Sequence, residues 1–140
     1  TWEGGMNREQ VLEVMRQAYG ARVSGNVDAI LEVFTSDAKF KLNASAPQQT
    51  VALATEGTDG MRNALKQLVD AFEFESCDIF DAVVEGSKAA IRIRFKVRSR
   101  QTDNVAVTES LDLVEFRDGK IASYTQFLDT AIANRLMAVS

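Results

Sequence analysis

The sequence predicts an α+β fold in which helices pack on one side of a single sheet. Three early segments repeat apolar residues at helical spacing, whereas from about residue 77 onward the apolar residues alternate every second position, as in strands. Short turns connect these later segments, which favours antiparallel pairing. With 140 residues, the chain is long enough to bury one core, and we expect a single domain over residues 1–140.

Two helices are predicted before residue 35. Asn7 and Gln10 form a capping-box pattern that opens a helix over about residues 7–23. Gly25 ends this helix, and Asn26 caps a short second one. The apolar residues at helical spacing are Val11, Val14, Met15, Ala18 and Val23 in the first helix and Val27, Ile30, Leu31 and Phe34 in the second.

The next segments alternate between strands and one further helix. A strand, a loop and a second strand are predicted at residues 39–43, 43–50 and 50–55. Thr58 is the predicted N-cap of a third helix that extends to about Phe72. The residues on its predicted buried side are Met61, Ala64, Leu65, Leu68 and Phe72.

The second half of the sequence is typical of a strand meander. Strands are predicted at residues 77–86, 88–100, 104–119 and 120–128. The turns between them carry Gly86-Ser87, Thr102-Asp103 and Asp118-Gly119. Asp129 then caps a final helix of about nine residues.

Composition excludes several kinds of site. The chain has no histidine, which removes Ser-His and Cys-His nucleophile pairs and imidazole metal ligands. Cys77 is the only cysteine, so a zinc site is disfavoured and an intrachain disulfide cannot form. We therefore expect no metal, no cofactor and a cytoplasmic location.

Charge and hydropathy give expectations about partners. A net charge of −4 disfavours a general binder of phosphate backbones, and no apolar run approaches the ~20 residues of a membrane-spanning helix, so we expect neither nucleic acid nor membrane as a partner. Arg92, Arg94, Lys96 and Arg98 form a basic stripe on one face of a strand, and Phe95 lies on the other. A surface that binds single-stranded nucleic acid places aromatic side chains beside its charges. We therefore interpret the stripe as solvated or dimer-facing and paired with Glu109 or Glu115.

Asp112 is the polar residue that fits its strand least well. It lies in "ESLDLVEFRDGKI", residues 109–121, where alternation places Ser110, Val114 and Phe116 on the same face. A buried carboxylic acid has a raised pKa and reduces the free energy of unfolding at neutral pH. Asp112 is therefore either a functional acid in a cavity or a carboxylate that is solvated or paired with an arginine.

Three stretches in this order resemble one known superfamily. "GNVDAILEVFTSDAKFKLN", "EGTDGMRNAL" and "VEFRDGKIASYTQFLDTA" are similar to nuclear transport factor 2-like proteins, and most similar to the SnoaL-like polyketide cyclases and their relatives, the ketosteroid isomerases and limonene epoxide hydrolases. The resemblance covers roughly residues 7–137. It implies a cone-shaped α+β barrel, with three helices on a curved antiparallel sheet and a short C-terminal helix, that encloses a deep apolar cavity in a homodimer. It does not imply a single activity.

The ketosteroid isomerase site is only partly matched. The resemblance aligns its oxyanion-binding aspartic acid with Asp112, its carboxylate base with Leu42 and its helical tyrosine with Ala18. Tyr19 is adjacent, but one residue along a helix is a rotation of ~100°, so we expect its phenol to point elsewhere.

The sites of the other relatives are also largely replaced. The epoxide hydrolase tyrosine and asparagine on the first strand align with Phe40 and Leu42, and the Arg–Asp pair falls near Ile93 and Phe95. A last-strand acidic residue, which SnoaL-like cyclases also use, aligns with Gln126.

These observations lead to a functional hypothesis with two alternatives. The first hypothesis is a cofactor-independent isomerase, cyclase or hydrolase that acts on a small apolar molecule, with Asp112 and Tyr124 as catalytic residues. The alternatives are a binding module without chemistry and a dimeric interaction domain with a vestigial cavity. The predicted ligand-binding residues are Gln126, Met15, Tyr19, Phe34, Phe40, Leu42, Met61, Leu65, Phe72, Val114 and Phe116.

Overall fold

The computed structural model describes residues 6–42 and 53–138. Its helices are α1 (Arg8–Ser24), α2 (Val27–Glu32), α3 (Thr58–Ala71) and α4 (Thr130–Met137). Its strands are β1 (Phe34–Leu42), β2 (Leu53–Glu56), β3 (Phe72–Glu85), β4 (Lys88–Ser99), β5 (Val105–Arg117) and β6 (Lys120–Leu128). No helix in this part of the chain is long and apolar enough to cross a membrane.

The strands form one sheet in the order β2-β1-β6-β5-β4-β3. Strands β3 to β6 make the predicted antiparallel meander. Asp118 and Gly119 have φ of 54° and 80° in the β5–β6 turn, as a two-residue hairpin turn of the primed type requires. One pair departs from the antiparallel expectation, because β1 runs parallel to β6, with Leu42 opposite Gln126.

The sheet curves and the helices cover its concave side. Register shifts interrupt the pairing of β3 with β4 and of β5 with β6, and such bulges bend and twist a strand. Helix α1 packs against β3 and α2, helix α3 packs against α2, β1 and β2, and α4 packs against β4 and β5. The predicted cone-shaped α+β fold with three helices and a short C-terminal helix is therefore confirmed.

The predicted helix caps hold at three positions. Asn7 Oδ1 accepts from the Gln10 amide at 2.8 Å while Gln10 Oε1 accepts from the Asn7 amide at 2.9 Å, which completes the capping box. Asn26 and Asp129 cap α2 and α4 through their side chains.

The cap of α3 was predicted wrongly. Gly57 occupies the N-cap position with φ 84° and makes no side-chain bond, and Thr58 is the first helical residue. The Thr58 hydroxyl instead donates to the carbonyl of Ser36 at 3.3 Å. Glycine is suited to this position because its backbone has a positive φ.

Two aromatic residues assigned to helices begin strands instead. Phe34 opens β1 rather than extending α2, because it pairs with Ile121 of β6. Phe72 likewise opens β3, opposite Ser99, so this strand begins at residue 72 and not at 77. The strand predicted at 39–43 therefore starts at residue 34. Its end at Asn43, the loop at 43–50 and residues 50–52 of the next strand lie outside the described residues.

The buried side of α1 also differs from the prediction. Val23 is 37% exposed, whereas Leu12 and Tyr19 are buried. The inner stripe therefore runs along Met15, Ala18 and Tyr19, and it reaches Arg22 one turn later.

Candidate functional site

Asp112 lies on the concave face of β5 and is 0% exposed. Ser110, Val114 and Phe116 are buried on the same face, as the alternation predicted. Its neighbours across the sheet are Ile91 on β4 and Gln126 on β6. The sheet therefore places a carboxyl group in the interior with an amide directly beside it.

Four side chains donate hydrogen bonds to this carboxyl group. Asp112 Oδ2 accepts from Tyr19 Oη at 2.5 Å, from Tyr124 Oη and from Gln126 Nε2 at 3.3 Å. Oδ1 accepts from Ser110 Oγ at 3.0 Å. Gln126 Nε2 also lies 3.1 Å from Tyr124 Oη. We refer to Tyr19, Ser110, Asp112, Tyr124 and Gln126 as the Asp112 cluster.

Aromatic packing fixes the phenol of Tyr124. Phe40, opposite Tyr124 in the β1–β6 register, stacks on its ring at 5.5 Å between centroids and 18° between planes. Phe34 meets the same ring edge-on at 6.1 Å and 63°. Two flanking rings leave the Tyr124 hydroxyl little freedom, so its direction toward Asp112 is set before any ligand binds.

The expectation that the Tyr19 phenol points elsewhere was wrong. Its hydroxyl reaches Asp112 although the resemblance aligns the family's helical tyrosine with Ala18. Both residues lie on the buried stripe of α1, and a tyrosine side chain is long enough to cover the rotation between them. The chain therefore has a helical tyrosine in the cluster, one residue along from the aligned position.

Burial controls the proton affinities in the cluster. Desolvation raises the pKa of Asp112, and the hydrogen bonds from Tyr124, Tyr19, Gln126 and Ser110 oppose that rise without cancelling it. Burial also raises the pKa of Tyr19 and of Tyr124 well above the usual phenol value. Tyr124 and Asp112 add to the rise at Tyr19, and Asp112 adds to the rise at Tyr124, where the hydrogen bond with Tyr19 opposes it. The cluster therefore favours its protonated forms.

Two adjacent chambers open beside the cluster. The inner chamber has a volume of about 60 Å³ and the outer chamber about 70 Å³. The residues that line both are Arg22, Leu68, Phe74 and Gln126. Helix α4 covers the outer chamber with Ile132, Ala133 and Leu136.

Most of the predicted ligand-binding residues line these chambers. Tyr19, Phe34, Phe40, Leu65 and Gln126 line the inner one, and Leu42, Phe72 and Gln126 line the outer one. Tyr124, predicted as a catalytic residue, also lines the inner chamber. Met15, Met61, Val114 and Phe116 line neither chamber, because they are buried in the hydrophobic core. Whether any of them binds a ligand stays a prediction.

The expectation that Asp112 faces the cavity needs correction. Asp112 lines neither chamber, because Tyr19, Tyr124 and Gln126 contact its Oδ2 and themselves line the inner one. A molecule in the inner chamber would therefore contact the two phenols and the amide rather than the acid itself.

Sequence reasoning missed two charged residues at the cavity. Arg22 lines both chambers and Asp129, interpreted only as a helix cap, lines the outer one. The signal for Arg22 was its spacing of three residues from Tyr19 on α1. No sequence pattern placed Asp129 at a cavity, because its position just before α4 is fully accounted for by a role as N-cap.

The other polar residues singled out in the sequence line neither chamber. Arg92 and Arg94 each lie 3.1 Å from Glu109, as predicted. The prediction was wrong for the rest of the stripe, because Lys96 lies 3.2 Å from Glu75 and Arg98 lies 3.2 Å from Glu73, both on β3. Glu115 pairs with Lys88, which is outside the stripe. Cys77 is half-buried, and burial raises its pKa to about 12. Within residues 6–42 and 53–138, no three Cys, Asp or Glu side chains group so that they could hold a metal ion.

Comparison with known proteins identifies the family. The chain is a cone-shaped α+β domain with a buried polar cluster beside two small, largely apolar chambers. The profile of the SnoaL-like domain family matches residues 15–124, and the chain belongs to this family. None of the curated proteins compared with the sequence matches it.

Solved structures share the fold at low sequence identity. A candidate isomerase from Bacillus subtilis superposes with a TM-score of 0.85 at 16% identity, covering 96% of this chain and 98% of that one. An NTF2-like protein of unknown function from Burkholderia pseudomallei gives 0.82 at 14% identity, covering 96% and 100%. A protein with a ketosteroid isomerase-like fold from Catenulispora acidiphila, in complex with trimethylamine, gives 0.77 at 12% identity, covering 91% and 94%. These similarities establish the fold and no specific activity.

Proposed function

We propose that the protein is a cofactor-independent enzyme of isomerase or cyclase type that acts on a small, largely apolar carbonyl compound. The observation that carries this proposal is the Asp112 cluster, in which a buried acid contacts three groups that line an apolar chamber. The SnoaL-like family membership and the fold shared with a candidate isomerase support it.

The location of the protons in the Asp112 cluster determines which of its groups would donate a hydrogen bond to the substrate. When Asp112 holds its proton, it donates a hydrogen bond to one of the two phenol oxygens that contact Oδ2. That phenol, Tyr19 or Tyr124, can then direct its own hydrogen into the inner chamber. A fixed donor in a largely apolar chamber stabilises the negative charge that develops on a carbonyl oxygen during enolisation.

Enolisation also needs a base. Among the described residues, Asp129 is the one carboxylate that lines either chamber. It is exposed, and its Oδ1 accepts a hydrogen bond from the Ile132 amide at 3.1 Å, which leaves Oδ2 for a second partner. We assign the removal of the substrate proton to Asp129 and the stabilisation of the oxyanion to the cluster.

Proton exchange tests this function without knowledge of the substrate. The protein is incubated in D₂O with small cyclic ketones, and deuterium uptake beside the carbonyl is followed by NMR. Wild-type protein should accelerate the exchange of at least one ketone. Removing one oxyanion donor by Tyr124→Phe should slow it by about 10²–10³-fold, and Asp112→Asn should slow it similarly.

Two further variants separate catalysis from folding. Asp129→Asn keeps the helix cap, because Asn and Asp cap equally well, but should lose the exchange activity. Ser123→Ala on β6 is the matched control, because Ser123 is half-buried and lines neither chamber. An exchange rate that Tyr124→Phe leaves unchanged would contradict the assigned role of the cluster.

A binding module is the second candidate. The hydrogen bond from Ile132 already engages Asp129, and the lining of the two chambers is predominantly apolar. Ligand-induced stabilisation of the wild type by ketones that it does not exchange would support this candidate over the enzyme.

We also propose that the protein forms a homodimer through the outer face of its sheet. Phe80, Val83, Leu111, Leu113 and Phe127 are large apolar residues that are 40–65% exposed there. Leu111 pairs with Phe127 and, on its other side, with Arg92. A contiguous exposed apolar patch on a sheet is typical of a protein interface.

A further inference from the structure

Arg22 is a half-buried cation whose side chain lines the cavity. It lies on α1, three residues after Tyr19, and lines both chambers. Its Nη2 donates to the carbonyls of Phe72 at 2.8 Å and Leu68 at 3.3 Å. Its guanidinium carbon lies 4.0 Å from the ring centroid of Phe74. These contacts fix the plane of the guanidinium at the junction of the two chambers.

The charge of Arg22 is not neutralised by the described part of the chain. Arg62, Arg92 and Arg117 on the surface each pair with a carboxylate, but no described Asp or Glu lies within 4.0 Å of the Arg22 guanidinium. Arg100 is near enough to repel it. Burial lowers the pKa of Arg22 to about 10, so the side chain remains charged at neutral pH.

An unneutralised cation in an apolar cavity is costly unless an anion joins it. Buried charges in proteins are usually paired, and stacking on Phe74 offsets only part of the desolvation. Both hydrogen bonds to the chain use Nη2, whereas a guanidinium carries five N–H donors. Donors therefore remain for a molecule that occupies the chambers.

We infer that Arg22 is an anion-binding residue of the cavity and that the ligand is a small apolar molecule bearing a carboxylate. This inference rests on the proposed function, because it names the class of molecule that the same cavity takes. The carboxylate would meet Arg22 and Gln126, which line both chambers, and the apolar body would extend along Phe40 toward Tyr124.

Size and charge both favour a carboxylate over a larger anion. Chambers of about 60 and 70 Å³ together approach the ~150 Å³ cavity that accepts a benzene ring. A single guanidinium matches the two oxygens of a carboxylate, whereas a phosphate dianion would keep part of its charge uncompensated.

Matched pairs of acids and amides test the inference. Benzoate is compared with benzamide, and phenylacetate with phenylacetamide, by isothermal titration calorimetry at pH 7. Wild-type protein should bind the acid of a pair about tenfold more tightly or better, which is the range of a charge-assisted hydrogen bond. Acids that bind no better than their amides, or do not bind at all, would overturn the inference.

Variants connect the preference to Arg22. Arg22→Met should abolish the preference for acids while leaving amide binding within about threefold, and Arg22→Lys should keep part of it. Arg92→Met on the outer face is the control and should keep all of it. Arg22→Met is replaced as a test if circular dichroism shows that it does not fold. In that case a reduced preference for acids in Arg22→Lys, compared with the acid–amide affinity ratio of the wild type, tests the role of Arg22. A preference that survives in folded Arg22→Met would refute the role of Arg22.

The proposed catalysis can fail independently of this subsite. Asp112→Asn and Tyr124→Phe should lose ketone exchange yet keep the preference for acids. A preference for acids without any exchange by the wild type would support the subsite and refute the enzyme. Exchange of neutral ketones without a preference for acids would support the enzyme and refute the subsite.

Discussion

The proton on Asp112 should be visible in the pH dependence of stability. Burial raises the pKa of this group in the folded protein above its value of ~3.9 in the unfolded chain. The folded state then binds more protons between these two values, so the contribution of Asp112 to stability is present at low pH and is lost as pH rises through the folded pKa. Asp112→Asn cannot titrate, so its free energy of unfolding relative to wild type should increase with pH in this window, by up to about 1.4 kcal/mol per pH unit.

Denaturant unfolding of both proteins from pH 4 to 8 measures this difference. Because other carboxylates titrate in both proteins, subtraction isolates Asp112. Ser110→Ala is a matched control, since it removes one hydrogen bond to Oδ1 and leaves the acid in place. A difference that falls with rising pH would mean that Asp112 is held ionised.

The sequence was informative about the faces of strands and less so about long side chains. Asp112, Val114 and Phe116 are buried together as alternation predicted, because the backbone dictates a period of two. Tyr19 and Arg22 were misplaced or missed, because the end of a long side chain is positioned by the elements that it packs against. Spacing along one helix does not contain that information.

At the scale of elements, we expect α4 to be stabilised by hydrogen bonds at its two ends. Asp129 caps its first turn, and Asn104 Nδ2 lies 2.9 Å from the carbonyl of Ala138 and 3.2 Å from that of Leu136. Asp129→Ala should destabilise the helix by about 1 kcal/mol, whereas Asp129→Asn should change it by only a few tenths. Amide hydrogen exchange over residues 130–137, followed by mass spectrometry, should then be about fivefold faster in the alanine variant alone. Equal exchange in both variants would show that the cap does not hold α4 over the outer chamber.

The boundaries of helices and strands were predicted correctly only where local contacts determine them. The capping box at Asn7 was predicted correctly because its two hydrogen bonds join residues three apart. Phe34 and Phe72 fit helical periods equally well but pair with distant strands, and tertiary pairing overrides local propensity. The N-cap at Gly57 was missed because its only signature is a positive φ.

At the scale of the whole molecule, the outer face should determine the oligomeric state. A double substitution of Leu111 and Leu113 by lysine places two charges in the apolar patch and should convert the proposed dimer to a monomer, since a two-fold interface repeats every change. Size-exclusion chromatography with light scattering measures the mass. Val105→Lys is the control. Val105 is 50% exposed but lies about 20 Å from Leu111 along the same strand. A wild-type protein that is monomeric would contradict the proposal.

The fold as a whole was predictable because its elements occur in a characteristic order. The change from helical to strand periodicity predicted the meander, and the residues around Asp112 predicted which face is buried. The parallel contact of β1 with β6 was not predictable, because no local pattern records a partner strand more than 80 residues away.

That contact between β1 and β6 also determines when the cavity can form as the protein folds. The hairpins of the meander join neighbouring segments and can close early, whereas β1 must wait for the last strand of the sheet. The bond between Tyr19 and Asp112 spans 93 positions, and Tyr124 completes the same cluster. During synthesis, β3, β4 and β5 can therefore pair before β6 is available to join β1 and β2 to them, and the Asp112 cluster is completed in the final step of folding.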